Sequence, residues 1–205
     1  MLLTHDVMSI LLEARKLTAE RGQRELFKDI SFSVPAGEAL HVVGANGSGK
    51  TTLMRILAGL VRHGFQGRVD RNSPMFYMGH QSALKGHLTV LENLSLDLSG
   101  WSAPSRELIL NVLSQLDLKY FIDSFVNTLS IGQQRKVGLA RIFLTEHPLW
   151  LLDEPFTSLD KSAISKIEDC IQNHLLSGGA IVMTSHHDIS LSSAKMKVVE
   201  LGARE

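Results

Sequence analysis

The sequence predicts an α/β fold in which a helical segment is inserted into a sheet-based core. Short apolar runs of the kind that form buried strands lie near both ends of the 205-residue chain. One of them is followed at once by a glycine-rich loop and a helical pattern. From residue 89 to about 145 the apolar periodicity is helical instead. We therefore expect one domain, with a core at residues 10–80 and 146–205 and a helical subdomain at 82–145.

The core is predicted to contain six strands and two helices. Polar or glycine-containing turns separate the early strands, and the last two strands are continuous apolar runs, which favour a buried parallel sheet. The helices show apolar residues at helical spacing. The predicted strands are residues 10–14, 30–34, 39–43, 76–81, 149–152 and 180–184, and the predicted helices are residues 52–60 and 162–176.

The composition excludes several classes of function. The 21 Lys and Arg residues balance the 21 Asp and Glu residues, so no overall positive field argues for nucleic-acid binding. The single cysteine, Cys170, cannot form an internal disulfide, which favours the cytosolic side of a membrane. No run reaches the ~18 uncharged apolar residues that a membrane span needs. We expect any membrane role to come from partner subunits.

The strongest motif is a glycine-rich loop between strand 39–43 and helix 52–60, which matches the pattern GxxxxGK(S/T). Its glycines let backbone N–H groups curl around phosphate oxygens, and the following helix N-terminus favours negative charge. Lys50 would reach the β- and γ-phosphates, and the Thr51 hydroxyl would ligate Mg²⁺. The residues predicted to bind nucleotide here are Gly44, Ala45, Asn46, Gly47, Ser48, Gly49, Lys50, Thr51 and Thr52.

A second motif follows strand 149–152, where Asp153 and Glu154 stand side by side. The carboxyl ends of parallel strands meet at one edge of a sheet, so we expect this pair to face the glycine-rich loop. Asp153 would hold Mg²⁺ through water, and Glu154 would orient and polarise the attacking water. Taken alone, the pair is also compatible with solvated acids at a strand end, and the glycine-rich loop decides for the catalytic interpretation.

Two more polar residues stand near the ends of predicted strands. His186 comes after strand 180–184, and its imidazole could contact a γ-phosphate and shape the geometry of the attacking water. A surface histidine is the alternative, and the adjacent His187 is a second histidine at this strand end. Gln81 closes strand 76–81, and its amide could contact Mg²⁺ or the water. We therefore take His186 as a candidate catalytic residue and Gln81 as a candidate metal contact.

Ser130 and Gln133 open the last helix of the helical segment. Their spacing is that of a capping box, in which each side chain bonds the backbone N–H of the other residue. A capping box alone does not explain their setting, because they lie between the glycine-rich loop and the Asp153–Glu154 pair, and Asp160 follows. Through this order of motifs the chain resembles the ATP-binding subunits of ABC transporters, over about residues 10–200.

The resemblance implies a P-loop ATPase fold of the ABC type, with a mixed sheet core, an N-terminal antiparallel β subdomain and an inserted α-helical subdomain. It implies ATP and Mg²⁺ as ligands and two copies of the chain that close over two ATP molecules. Ser130, Gly132 and Gln133 of one copy would then bind the ATP held by the other, and Asp160 would couple the two sites. Ile131 stands where the family usually has glycine or alanine, which reduces backbone freedom beside that contact.

Residues 20–27, 79–81, 88–94 and 149–157 carry a narrower resemblance, to the ATP-binding subunits of haem exporters in bacterial cytochrome c biogenesis. Most ABC ATPases place an aromatic ring near Arg21 to stack on adenine; here the Arg21 guanidinium could stack on it, and a solvated arginine is the alternative. The resemblance implies integral membrane partner subunits, an indirect link to haem, and a peripheral location on the cytoplasmic face of the inner membrane.

Two other functions share the same catalytic motifs. One is the ATPase subunit of another ABC transporter, for lipid, drug or peptide, because the residues that act on ATP do not touch cargo. The other is a soluble ABC-type ATPase switch for a partner outside the membrane, such as a metallocluster-assembly or nucleic-acid repair scaffold. The neutral net charge weakens the nucleic-acid version. We expect a transporter subunit that binds no nucleic acid and works with a second copy of itself.

Overall fold

The computed structural model describes residues 9–22, 24–81, 83–96, 103–185 and 195–202. None of the helices in these ranges is long and apolar enough to cross a bilayer. In chain order the elements are β1 Ile10–Arg21, β2 Arg24–Pro35, β3 Glu38–Gly44, α1 Lys50–Leu57, β4 Phe65–Arg71, β5 Met75–Met78, α2 Val90–Ser95, α3 Arg106–Gln115, two 3₁₀ helices at Lys119–Phe121 and Val126–Thr128, α4 Ile131–Leu144, β6 Leu149–Asp153, α5 Lys161–Leu176, β7 Ala180–Thr184 and β8 Lys195–Leu201.

The strands form two sheets. Three of them pair antiparallel in the order β2-β1-β4. The other five form a parallel sheet in the order β5-β6-β7-β3-β8. The predicted α/β class is confirmed, and the antiparallel pairing lies in a sheet of its own near the N-terminus.

Two strands, β4 and β8, are absent from the sequence prediction. Each lies at the edge of its sheet and is mostly exposed, so neither has the apolar run or strict alternation that marks a strand in sequence. β1 is also longer than predicted and continues to Arg21. Its pairing with β2 passes through several register shifts, which break the two-residue alternation along the strand.

The parallel sheet is covered on both faces. One core cluster packs α1 between the antiparallel sheet and the parallel sheet, and it includes Leu149 and Leu151 of β6. A second cluster packs α4 and α5 on the opposite face and includes Trp150 and Leu152. Successive residues of a strand point to opposite faces, so burial on both sides requires a continuous apolar run. This explains why β6 and β7 could be recognised in the sequence.

The helical segment has its own hydrophobic cluster, built from α2, α3, α4 and the two 3₁₀ helices. α4 also contributes to the cluster under the parallel sheet: Val137 and Ala140 belong to the helical cluster, whereas Leu139 and Ile142 belong to the sheet cluster. α4 is therefore the element that joins the helical segment to the sheet. Its N-terminus carries Ser130.

Candidate nucleotide-binding site

A cavity of about 460 Å³ lies at the carboxyl edge of the parallel sheet. This volume is within the usual range for a small-molecule site. Six of the nine residues predicted in the glycine-rich loop line this cavity, while Gly44, Ala45 and Ser48 belong to the same loop without lining it. The lining residues are Arg21, Leu26, Asn46, Gly47, Gly49, Lys50, Thr51, Thr52, His80, Asp153, Glu154 and Thr157.

The backbone of the loop between β3 and α1 requires glycine at two points. Gly49 has φ 101° and ψ 9°, and a Cβ there would lie 2.9 Å from Cβ of Leu26. Gly44 has φ 146°, and a Cβ there would lie 2.6 Å from the carbonyl oxygen of Leu201. Other residues rarely adopt such φ values and would also collide, so the two glycines fix the path of the loop.

The N-terminus of α1 has no side-chain cap. Gly49 occupies the N-cap position and supplies no side-chain oxygen. The first N–H groups of a helix have no acceptor within the helix, so those of Lys50, Thr51 and Thr52 are available to a ligand. Phosphate oxygens are suitable acceptors, and the helix dipole favours their negative charge.

Lys50 spans the loop that precedes it. Its Nζ donates to the carbonyl oxygen of Gly44 at 2.7 Å and to that of Ala45 at 3.3 Å. These bonds hold the ammonium group beside the uncapped start of α1. A positive charge and a set of backbone donors therefore converge on one end of the cavity, which suits a polyphosphate.

Asp153 ends β6 and is 1% exposed. Its Oδ1 accepts a hydrogen bond from Oγ1 of Thr184 at 2.8 Å, whereas its Oδ2 is buried without a hydrogen-bond partner among the described residues. A buried carboxylate oxygen without a donor is costly unless a cation or water satisfies it. Thr51 lines the same cavity, so the oxygen atoms of Asp153 and Thr51 together fit a hard cation such as Mg²⁺, which prefers oxygen ligands.

Glu154 lines the cavity beside Asp153 and has φ 53°, a value that residues other than glycine rarely adopt. Its N–H donates to Oγ1 of Thr184 at 2.9 Å, and its carbonyl oxygen accepts from Nη2 of Arg135 at 2.5 Å. Strained backbone of this kind persists only where neighbouring groups hold it, and it is frequent at active sites. The carboxylate is thus attached to a firmly held main chain.

Thr184 and His80 are site residues that the sequence analysis missed. Thr184 pairs with Asp153 across the β6–β7 ladder and is fully buried, so one hydroxyl orients both acidic residues. The signal in the sequence was a polar residue closing an apolar strand. His80 lines the cavity, whereas its neighbour Gln81 does not. Gln81 instead lines an adjacent cavity of about 410 Å³ with Ile131 and Gln134, so its contact with Mg²⁺ or water stays a prediction.

Ser130, Gly132 and Gln133 do not line the cavity of their own chain. The capping box is present: Gln133 N donates to Ser130 Oγ at 3.2 Å, and Ser130 N donates to Gln133 Oε1 at 2.9 Å. Because the Ser130 oxygen serves as an acceptor, its hydroxyl hydrogen can be donated to another molecule. Ile131 beside it is 81% exposed.

Asp160 caps α5, accepting from Ala163 N at 2.8 Å, and its other oxygen lies 2.7 Å from Nζ of Lys136 on α4. These two contacts lower the pKa of the Asp160 carboxyl below its ordinary value. Arg21, the last residue of β1, lines the cavity together with Leu26 of β2. His186 lies outside the described residues, and its role stays a prediction.

Comparison with known proteins gives a consistent result. Residues 27–157 match the family model described as ABC transporter. The chain is 42% identical over 202 residues to the cytochrome c biogenesis ATP-binding export protein CcmA of Pseudomonas savastanoi pv. phaseolicola, covering 93% of this chain and 95% of that protein. It is 39% identical over 203 residues to CcmA of Escherichia coli (strain K12), covering 93% and 96% of the two chains.

Solved structures agree with these relatives. An ATP-binding subunit of an ABC transporter superposes with a TM-score of 0.78 at 23% identity, covering 94% of this chain and 88% of that one. A dimeric post-hydrolysis state of an ATP-binding cassette bound to ADP and Pi gives a TM-score of 0.78 at 25% identity, covering 93% and 94%. The phosphate loop, the start of α4 and the Asp153–Glu154 pair all fall within the matched region. The chain belongs to the ABC transporter family, as one of its ATP-binding subunits.

Proposed function

We propose that this protein is the ATP-hydrolysing subunit of an ABC transporter complex that serves c-type cytochrome biogenesis. The observation that carries the ATPase part is the cavity in which the phosphate loop faces Asp153 and Glu154. The cytochrome c part rests on relatives with that printed function, which are 38–42% identical over 93–94% of the chain.

In the proposed site the loop N–H groups and Lys50 bind the phosphates of ATP. Thr51 and Asp153 would hold Mg²⁺, and the buried, unsatisfied Oδ2 of Asp153 supports this assignment. When bound, Mg²⁺ neutralises charge on the phosphate oxygens. Arg21 would lie against the adenine, since it lines the same cavity as the phosphate loop, together with Leu26.

Glu154 is the proposed catalytic carboxylate. It orients and polarises a water molecule that attacks the γ-phosphorus, while the bond from the γ-phosphorus to the bridging oxygen breaks, giving ADP and inorganic phosphate. The Glu154 N–H donates to Thr184 and the Glu154 carbonyl oxygen accepts from Arg135, and these two bonds fix the backbone from which the side chain extends. In the same proposal His186 contacts the γ-phosphate and shapes the geometry of the water.

The active form is proposed to be a dimer. Ser130, Gly132 and Gln133 lie outside the cavity of their own chain, yet Ser130 carries a hydroxyl hydrogen that can be donated. In a two-fold dimer these residues would complete the site of the second copy, and that copy would complete this one. The dimeric ATP-binding cassette with the same fold supports this arrangement.

The transport role follows from the relatives that are named export proteins of cytochrome c biogenesis. We propose that closure of the dimer on ATP acts through the helical segment on integral membrane subunits, at the cytoplasmic face of the inner membrane. The process served is haem export, or release of a haem-loaded chaperone. Haem itself need not touch this chain.

The decisive substitution is Glu154→Gln, with Glu107→Gln as a control at an exposed position in the first turn of α3. Glu154→Gln is expected to keep ATP binding, trap the ATP-bound dimer, lower kcat by about a hundredfold or more and abolish c-type cytochrome formation in cells. Normal c-type cytochrome levels with inactive Glu154→Gln would exclude the haem role. Undiminished hydrolysis by Lys50→Ala would exclude the ATPase site.

A further inference from the structure

Arg135 joins three elements on which the site depends. It lies in the first half of α4 and is 7% exposed. Its Nη1 donates to the carbonyl oxygen of His80 at 2.8 Å, and its Nη2 donates to that of Glu154 at 2.5 Å. His80 follows β5 and Glu154 follows β6, which are neighbours in the parallel sheet. One guanidinium group therefore ties the helical segment to the ends of two adjacent strands.

A gain in the stability of the fold does not explain why this guanidinium is buried. Its Nε is buried without a hydrogen-bond partner in the described part of the chain. Burial lowers the pKa of Arg135, an effect opposed by the carboxylates of Asp153 and Glu154, and an arginine remains charged in spite of such a shift. An apolar side chain of similar volume often stabilises a fold as well as a buried charge does. The position of Arg135 therefore favours a role in the site.

The main chain of Glu154 is held from both sides. Its N–H donates to Thr184, and its carbonyl oxygen accepts from Arg135. Because φ is 53°, this conformation depends on its neighbours to persist. Losing the bond from Arg135 would change the direction in which the carboxylate enters the cavity. A displacement of about 1 Å at a catalytic group can lower the rate by about a hundredfold.

We propose that Arg135 is a positioning residue that makes the orientation of Glu154 depend on the position of α4. The inference rests on the proposed function, in which Glu154 orients the attacking water. Ser130 begins the same helix and would engage the γ-phosphate bound by the second copy. That contact seats α4, and Arg135 then holds the Glu154 carbonyl in the orientation that permits hydrolysis. The hydrogen bond from Arg135 to the carbonyl oxygen of His80 makes the position of His80 depend on α4 in the same way.

Arg71 offers a matched control, because it also gives two hydrogen bonds to backbone carbonyls. Its Nε donates to Leu57 at 2.7 Å and its Nη2 to Ile56 at 2.6 Å, both at the end of α1. Arg135→Met and Arg71→Met each remove one such pair. Arg135→Met is expected to lower kcat at least about tenfold with KM for ATP within about twofold, whereas Arg71→Met lowers Tm and leaves kcat within about twofold. If kcat follows Tm in both variants, Arg135 is structural only.

The second readout is the coupling of Arg135 to Glu154. In the Glu154→Gln background, measured with excess enzyme and long incubations, Arg135→Met is expected to change the residual rate by less than about twofold. An equal loss in both backgrounds overturns the proposal. Should Arg135→Met not fold, Arg135→Lys keeps the charge but cannot bridge two carbonyls, and the same outcomes apply. Normal activity of Glu154→Gln would overturn the proposed function itself, and this inference with it.

Discussion

The two helices that begin at predicted ATP contacts, α1 and α4, start in opposite ways. α1 begins after Gly49 with no side-chain cap, so its first N–H groups are open to the cavity of the same chain. α4 begins with the complete capping box of Ser130 and Gln133, away from that cavity. α2, α3 and α5 also have side-chain caps, so α1 is the exception among the described α-helices.

The difference indicates two kinds of phosphate contact. An uncapped helix start leaves several donors unsatisfied until a ligand arrives, which suits tight binding within one chain. The capping box of α4 satisfies the N–H groups of Ser130 and Gln133 and leaves one hydroxyl hydrogen to donate outward, which suits a weaker contact that forms only when two copies meet. In this account α1 binds ATP, and α4 detects ATP bound by the second copy.

The largest expected effect comes from distorting the backbone at the uncapped start of α1. Gly49→Ala places a Cβ against Leu26 at a φ that alanine rarely adopts, so we expect MgATP binding to weaken at least about tenfold by calorimetry. Gly178→Ala is the control, because Gly178 also has a positive φ, of 85°, but no atom lies within 4 Å of its added Cβ. Equal loss of binding in the two variants would refute the special role of the α1 start.

An intermediate effect is expected at Ser130, where capping and phosphate contact can be separated. Ser130→Ala removes the cap and should lower the free energy of unfolding by about 1 kcal/mol. Ser130→Asp keeps a good cap but brings negative charge towards the γ-phosphate of the second copy. Both variants should bind ATP normally as monomers, and Ser130→Asp should lose about tenfold or more in turnover despite normal stability. Wild-type turnover in Ser130→Asp would show that capping is the only role.

The smallest expected effect concerns the cap of α5. The contacts with Lys136 and Ala163 lower the pKa of Asp160, so the folded protein keeps this carboxylate ionised where the unfolded chain, with a pKa of about 3.9, binds a proton. Stability from this group is present above that pH and is lost as the pH falls through the lower, folded pKa. The side chain is largely exposed, so solvent screening keeps the effect small.

Urea unfolding of Asp160→Asn, compared with the original chain between about pH 3 and 5, measures this effect. The variant should retain a capping oxygen but show a shallower loss of stability with acid. The same slope in both proteins would mean that the ion pair with Lys136 contributes nothing. In that case residue 160 would stabilise α5 only through the capping hydrogen bond to Ala163 N.

The parts of the fold and site that could be predicted are those whose signal is local. The phosphate loop needs glycine where φ is positive, and the doubly buried strand β6 needs a continuous apolar run. The parallel-sheet rule then placed Asp153 and Glu154 opposite the loop, as the cavity shows. In these cases a short stretch of sequence contained the physical requirement.

The rest depends on contacts between distant residues. Arg135 and Thr184 reach Glu154 from other elements, and no local pattern distinguishes them from any arginine in a helix or threonine at a strand end. His80 and Gln81 are neighbours just beyond β5, and the sequence does not tell which of them faces the phosphate loop. The edge strands β4 and β8 form because they pair with β1 and β3, and not because apolar side chains bury them.

The central claim is that Ser130 of one copy completes the site built by Lys50 of the other. The most direct measurement is the ATPase activity of a mixture of Lys50→Ala and Ser130→Asp chains, each expected to retain at most about a tenth of normal turnover alone. In a two-fold dimer the mixed species carries both defects in one site and leaves the other site intact, so mixing equal amounts should restore up to about a quarter of normal turnover. Activity that stays at the level of the separate variants would contradict the claim.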